Sequence, residues 1–447
     1  MSMRKLLAVW IAKLAIIAGK VVGKKSSSTP GAIALKICPD LIRRLSSNVT
    51  QGIIVTCGTN GKTTTNNLLN SALQKSGYST VCNSLGANMM GGIATAFADA
   101  CNLAGKFQAD WAVLEIDEAS ARRVFAYLTP DYMIITNLFR DQLDRYGEID
   151  ITMDLLREAI NMAGNVKLIL NGDDPLTAQF GEGKKAWYYG ISEQVLPQID
   201  ETKEGRFCAK CGMEQEYHFF HYSQLGDYYC PHCGNRRPHI DFEAKNVNLS
   251  DSMKFTINGT PVDVNYRGFY NIYNILAVYS TLSVMGIPTD KFNQLLRDYK
   301  PQIGRMEQIN LGKPFILNLA KNPAGFNQAI QTVMLDKRKK DVIVAINDLA
   351  NDGRDVSWLW DVDFEKLSDE NLCSLTAAGI RRYDMALRFK YEDIQNVRIA
   401  SNMRDALLDC MNTNAEVCYV LVNYTALYPT QTAMLELQKE QKAGGNI

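Results

Sequence analysis

Histidine is the scarcest reactive side chain here: His218, His221, His232 and His239 are the four in 447 residues. Chemistry that needs an imidazole as base or nucleophile partner therefore has none nearby in sequence outside that one stretch. Acid is nearly missing from residues 1–47, where nine Lys or Arg, from Arg4 to Arg44, face Asp40 alone. No apolar run spans a bilayer, because LLAVWIAKLAIIAGKVV, residues 6–22, is interrupted by Lys13 and Lys20. That stretch also lacks a small-residue cleavage site, which argues against a secretory signal. Net charge is absent too: Lys plus Arg and Asp plus Glu are both 48, so nothing suggests nucleic-acid binding by charge alone. Eleven cysteines in a chain of this length do not make a disulfide scaffold, and a reducing cytoplasm fits them best.

The length allows two or three domains, and 46% hydrophobic with 21% charged residues is the composition of an ordinary globular protein. Residues 1–48 read as a basic amphipathic segment. At about 100° per residue Leu6, Leu7, Trp10, Ile11, Leu14, Ile17 and Val21 share a face, with Lys5, Lys13 and Lys20 opposite. Such a helix packs on the domain behind it or meets a membrane surface. From residue 49 short apolar runs (GIIVT, WAVLEI, YMIITNL, VKLILNGDD) alternate with helical stretches, the pattern of a parallel sheet covered on both faces. This domain runs over residues 49–304, with a polar, cysteine-bearing insert at 201–240. A second series (PFILNLA, DVIVAIND, MALRF, VRIAS, VCYVLVN) predicts another α/β domain over 305–447.

VTCGTNGKTTTNNLL, residues 55–69, places glycines between a β-branched strand and a helix, where backbone N–H groups meet phosphate oxygens. Lys62 is positioned to reach the β/γ-phosphates and Thr63 a magnesium ion. The spacing is not GxxxxGK[ST]. GTNGKTTT, comprising Gly58, Thr59, Asn60, Gly61, Lys62, Thr63 and Thr64, instead resembles the loop of the Mur ligases and folylpolyglutamate synthases. That resemblance implies ATP-driven formation of an acyl phosphate on a carboxylate, which an amine then attacks.

Other stretches carry the same resemblance. LEIDEAS is similar to the segment supplying a magnesium ligand, which makes Glu115 the candidate and Glu118 its neighbour. GFYNIYN resembles G-x-H-N-x-x-N, keeping Asn271 and Asn274 for the adenosine and placing Tyr270 at the histidine. GRME supplies Arg305, and NLAKNPAGF puts Asn318 and Lys321 where relatives have an acid and a histidine. Gln142 stands where many Mur ligases place a metal-binding histidine. Residues 154–165 contain no lysine beside a second metal, and Glu158 is either a substitute carboxylate there or a solvated helix residue.

CAKC (Cys208, Cys211) and CPHC (Cys230, Cys233), separated by 18 residues, have the spacing of a structural Zn–S₄ ribbon. A ribbon inserted in a Mur-like ATP domain, followed by an α/β domain with NDGRDVSWLWDVDFE, resembles the MurT subunits of lipid II isoglutaminyl synthases. The resemblance implies ATP-dependent amidation of the α-carboxyl of D-glutamate in the lipid II stem peptide, in the cytoplasm or at the inner membrane face. It also implies a separate glutamine amidotransferase subunit, GatD-like, forming a heterodimer with this chain. Cys57, Cys82 and Cys101 have no histidine nearby in sequence, which predicts that this chain releases no ammonia from glutamine itself. Asp355 either orients a histidine of that partner, as the third member of a triad does, or caps a helix. Two other functions remain compatible with these residues: an amino-acid-adding Mur or folylpolyglutamate-type ligase, and a zinc-ribbon binding protein with a degenerate ATP site.

Overall fold

The computed structural model describes residues 3–21, 27–140, 149–197, 205–250, 252–265, 268–297, 299, 303–350, 352–368, 370–394 and 396–444; Gln142 lies outside them. The chain divides into two compact units, Met1–Phe139 with Ile149–Asn265 and Tyr270–Tyr299, and Arg140–Glu148 with Tyr266–Phe269 and Lys300–Ile447.

The first unit is built on β1 (Val49–Cys57), β2 (Thr80–Cys82), β3 (Ala109–Glu115), β4 (Tyr132–Ile135), β5 (Lys167–Asn171) and β6 (Ala186–Ile191). A hairpin, β7 (Glu216–Tyr222) and β8 (Leu225–Tyr229), precedes β9 (Phe242–Asn248), β10 (Met253–Ile257) and β11 (Thr260–Val264). Their sheet runs β11-β10-β9-β6-β5-β4-β1-β3-β2, parallel from β2 to β9 and antiparallel at β10 and β11. The second half of β1, from Ile53 to Cys57, is buried inside the sheet, and all of it but Thr56 is apolar. Ile53, Val55 and Cys57 enter one core with Leu114, Met133 and Leu168, while Ile54, pointing the other way, is equally buried. Burying each large apolar side chain contributes about 1.5–3 kcal/mol.

The N-terminal helix Met3–Val21 packs on helices Thr29–Ile37 and Met90–Ala100, but not through the face its pattern suggests. Ala8, Val9, Ala12 and Ile16 are buried, whereas Leu7, Trp10, Leu14, Ile17 and Val21 are exposed. Ala8 and Ala12 allow close approach of the neighbouring helices, and Val9 and Ile16 are buried beside them, so the packed side is the one with the least bulk. Lys13, on the flank of the packed side, is half-buried and donates to the Asp99 carbonyl at 2.9 Å.

In the second unit β12 (Glu307–Asn310), β13 (Pro314–Leu319), β14 (Lys340–Ala345), β15 (Leu372–Ala378), β16 (Arg398–Ile399) and β17 (Val417–Val422) form a sheet in the order β12-β13-β17-β14-β15-β16. All neighbours are parallel except β12. One expectation fails here. MALRF lies in the helix Arg382–Tyr391, and the strand beside β14 is LCSLTAA, whose small residues give little β signal.

Candidate functional site

The connection after β1 runs toward β2 on one side, and the connection after β3 crosses to β4 on the other, so a crevice opens at the C-terminal end of β1. Gly58 to Gly61 turn in that crevice before the helix Lys62–Lys75 begins. Gly58 and Gly61 have φ of 116° and 85°. A Cβ at Gly58 would stand 2.3 Å from Thr136 Oγ1, and one at Gly61 2.2 Å from Asn274 Oδ1. Both conformation and packing therefore demand glycine.

Lys62 and Thr64 are buried at the start of that helix. The Lys62 ammonium donates to the Gly58 carbonyl, to Thr59 O at 3.3 Å and to Glu118 Oε1 at 2.9 Å. Burial favours its neutral form, but Glu118, Glu115 and Asp117 outweigh burial and raise its pKa, so it stays charged. Glu118 Oε1 also accepts from Gly58 N at 2.6 Å; burial pushes this carboxyl up while Lys62 holds it down.

Glu115 ends β3 and is buried. Asn88 donates to its Oε1 at 3.1 Å, while Oε2 has no hydrogen-bond partner. A Cβ built on Gly86 would lie 3.5 Å from Thr63 Oγ1 and 3.7 Å from Glu115 Oε2, so both oxygens border one space. An orphaned carboxylate oxygen beside a hydroxyl is a donor set suited to magnesium, which takes oxygen ligands. Asn83 clamps the Glu115 backbone, donating to its carbonyl at 2.7 Å and accepting from its N–H at 2.8 Å.

The segment after β4 holds the other side of the loop. Asn137 Oδ1 accepts from Asn60 N at 2.9 Å, and its carbonyl accepts from Thr59 N at 2.8 Å. Thr136 Oγ1 donates to Asn60 O at 2.7 Å. Asn271 and Asn274 begin the helix Asn271–Val284, and Asn274 Nδ2 donates to Asn271 Oδ1 at 3.1 Å while its Oδ1 accepts from Thr65 Oγ1 at 3.3 Å. Thus Gly58 to Thr65 and the two asparagines form one connected wall.

The insert brings Cys208, Cys211, Cys230 and Cys233 together, all four sulfurs within 4.8 Å of one another. The Cys208–Cys233 and Cys211–Cys230 separations are 3.6 and 3.5 Å. A tetrahedral Zn–S₄ centre has edges of about 3.8 Å, so the cluster fits the metal. Burial raises the Cys208 pKa, but the backbone amides of Lys210 and Cys211 outweigh it and bring the thiol down to about 7.

The insert also reaches the phosphate loop's support. Buried Asp173, after β5, accepts from Arg237 Nε at 2.8 Å, from Ile191 N at 2.8 Å and from Tyr273 Oη at 2.8 Å, joining the insert to the helix that carries Asn274. Gln224 Nε2 donates to Leu138 O at 2.6 Å, and Leu138 N donates to Asp174 Oδ2 at 2.8 Å. None of Glu118's contacts, nor Asn137, Asp173 or Arg237, is foreseen in the sequence reading. The acids in NGDD and the asparagine of ITNL, polar residues ending apolar strands, were the available signals.

In the second unit Leu319 N donates to Gly304 O at 2.7 Å, setting the turn of Arg305 against the end of β13, two residues before Lys321. Asn318 Oδ1 is buried there without a hydrogen-bond partner. Asp355 is elsewhere in this unit, exposed, with Oδ1 accepting from Ser357 N at 2.8 Å, the contact of a capping acid. It lines an open cleft of about 340 Å³ with Trp360, Asp384, Leu387 and Arg388. Glu158 pairs with Arg122 at 2.7 Å on the surface of the first unit.

Two family models match: Mur ligase middle domain over residues 55–282 and MurT ligase C-terminal over residues 319–427. The chain is 35% identical over 99% of its length to all of the lipid II isoglutaminyl synthase (glutamine-hydrolyzing) subunit MurT of Staphylococcus aureus strain COL. It is 34% identical to the same subunit of Streptococcus pneumoniae, over 90% of this chain and 91% of that one. A pseudomurein peptide ligase type C from Methanothermus fervidus shares the fold at TM-score 0.70 and 23% identity, covering 92% of this chain and 85% of that one. MurF ligase from Thermotoga maritima, solved with ADP, gives TM-score 0.65 and 16% identity over 92% of this chain and 84% of that one.

Proposed function

The chain belongs to the MurT family of Mur ligases, and from that premise we propose that it is the ATP-consuming subunit of a lipid II isoglutaminyl synthase. It is a ligase of peptidoglycan synthesis that converts the α-carboxylate of D-glutamate in the lipid II stem peptide to the amide. The observation that carries the reading is the buried Lys62 at the start of the loop helix, ion-paired with Glu118, with Thr63 and Glu115 facing one space beside it, in a chain that aligns with the whole of the Staphylococcus aureus MurT subunit.

In this reading Lys62 and the amides of the first turn of its helix bind the β/γ-phosphates, while Asn271 and Asn274 face the adenosine. Magnesium, held by Thr63 and Glu115, would neutralise phosphate charge. Phosphoryl transfer to the carboxylate leaves an acyl phosphate, and ammonia displaces inorganic phosphate to give the amide. Arg305 and Lys321 of the second unit are assigned to nucleotide and acyl phosphate. The cysteine cluster holds structural zinc, since four thiolates leave no open coordination position.

The ammonia comes from a glutamine amidotransferase partner. Burial raises the thiol pKa of Cys57 and of Cys101 and pushes Cys82 up to about 12, so none is a ready nucleophile at neutral pH. His221 is buried between the rings of Phe219 and Tyr273, where desolvation holds it down to about 3. The docking face is the second unit around Asp355, where Ile380, Tyr383, Leu387, Tyr391 and Trp360 are exposed. A lipid-linked substrate would bring the enzyme to the inner membrane face; no described helix is long and apolar enough to cross a membrane.

The test compares the purified chain, alone and with its partner, on lipid II with ATP. Amide formation from glutamine only in the presence of the partner is expected. Glutamate released from glutamine by the single chain, or an amino acid in place of ammonia in the product, would overturn the reading.

A further inference from the structure

The N-terminal helix presents an unusual outer face. Met3, Leu7, Trp10, Leu14, Ile17 and Val21 recur every three or four residues and are 85%, 46%, 44%, 66%, 57% and 82% exposed. They form one stripe directly opposite the packed residues Ala8, Val9, Ala12 and Ile16. Leu103, from a separate turn, extends the patch: it is 77% exposed, and its carbonyl accepts from Trp10 Nε1 at 2.7 Å. The stripe is held on a rigid body, because the buried side of the helix belongs to the first unit's core.

Charge decides what covers it. The helix carries Arg4, Lys5, Lys13 and Lys20 and no acid, and Asp40 is the sole acid of residues 1–47. A second copy of the same face would bring cations against cations, without the opposite charges that flank a helix–helix seam. An anionic surface meets both requirements, since it accepts the apolar stripe and attracts Arg4, Lys13 and Lys20. These stand about 80–100° round the helix from the centre of the stripe, at its margins, whereas Lys5 lies on the packed side. Tryptophan in the stripe suits the boundary between lipid headgroups and chains.

We propose that this face docks the protein, lying parallel to the surface, on an anionic lipid bilayer. A stripe of about 27 Å, at 1.5 Å per residue, lies along the surface rather than through it. The docking goes beyond the ligase reading, since it needs neither lipid II nor ATP.

The full-length chain is mixed with vesicles of phosphatidylglycerol in phosphatidylcholine, and separately with phosphatidylcholine alone, without lipid II. Sedimentation should show binding to the anionic vesicles that weakens between about 0.05 and 0.5 M salt, as the Debye length shrinks. Leu14→Glu with Ile17→Glu should cut the bound fraction at least tenfold. Both positions face solvent, so melting temperature and turnover on a soluble stem-peptide substrate should match the parent, separating loss of docking from loss of ligase chemistry. Equal vesicle binding by parent and variant would overturn the proposal. So would a parent that forms dimers without binding vesicles, with the variant monomeric, because a second copy would then own the stripe.

Discussion

Lys62 Nζ lies 2.9 Å from Glu118 Oε1, with both side chains less than a tenth exposed. Removing one member of such a pair leaves a buried charge alone, which costs about 3–5 kcal/mol, whereas replacing both by neutral groups of similar volume is often tolerated. Lys62→Ala should therefore lose stability as well as phosphate release. Lys62→Met with Glu118→Gln should regain most of the stability and none of the turnover. Urea unfolding and a phosphate-release assay on the three proteins check this, and turnover in the double variant would remove Lys62 from the chemistry.

The unpartnered Oε2 of Glu115, facing Thr63 Oγ1 across the space above Gly86, calls for a cation. Glu115→Gln keeps an acceptor for Asn88 and removes the charge. The fold should persist, while the magnesium concentration for half-maximal ATP turnover rises and kcat falls about 10²-fold or more, the order seen when one charge-stabilising group is lost. A magnesium titration of the variant showing parental values would reassign the metal ligand.

Much of this was legible in sequence, for physical reasons that differ by element. The loop was, because Gly58 and Gly61 tolerate no side chain and the strand and helix around them have strong periodic patterns. The cysteine cluster was, because tetrahedral thiolate sites impose spacing. The packed face of the N-terminal helix was not: periodicity identifies a face with large apolar side chains, but Ala8 and Ala12 gain their burial from the helices Thr29–Ile37 and Met90–Ala100, which the local pattern does not report. Strand β15 was missed for a related reason, since Ala377 and Ala378 are buried by the sheet rather than by their own bulk. Nor could the pairing of Arg237 with Asp173 be read, because it depends on where the insert folds back.

Asp174 is wholly buried, and desolvation pushes its carboxyl up to about 7 from an ordinary 3.8, against the hydrogen bonds from Leu138, Leu176 and Gln224. A carboxyl raised on folding is stabilising while protonated in the folded state. Its contribution is complete below the unfolded value of 3.8 and is lost as pH climbs through about 7. Stability should accordingly fall between about pH 4 and 7, by up to about 1.4 kcal/mol per pH unit for one such group. Asp174→Asn should flatten that slope, leaving the part due to Asp173, which burial pushes the same way. Urea midpoints at pH 5 and 7.5 provide the measurement, and an unchanged slope in the variant would count against the assignment.

If the cysteine cluster binds structural zinc, metal and fold should be lost together, since the binding free energy of such a site is folding free energy. Cys208→Ser and Cys230→Ser are each expected to lower zinc content and folded yield in parallel. Arg237 and Gln224 tie the insert to the phosphate-loop wall, so the residual folded protein should also bind ATP more weakly. Full zinc loss with normal melting and lost catalysis would instead make the metal part of the chemistry.

Asp355 has one clear task in the single chain, accepting the Ser357 N–H, and this interaction holds its carboxyl below the usual range. Asparagine can accept the same hydrogen bond, so Asp355→Asn preserves the turn and removes only the negative charge. That separates the two roles open to this residue. If Asp355 merely caps the turn, the variant should match the parent in every assay. If it orients an imidazole of the amidotransferase partner, the charge is what matters, and triad chemistry loses about 10⁴-fold when the orienting aspartate becomes asparagine. We expect the second outcome, given the acid's exposure beside the cleft and the apolar side chains around it. Glutamine-dependent amidation by the complex should fall by about 10²-fold or more, while complex formation and ATP binding stay at parental levels. The decisive measurement is glutamate release by the purified complex, and a variant complex that hydrolyses glutamine at the parental rate would leave Asp355 as a cap alone.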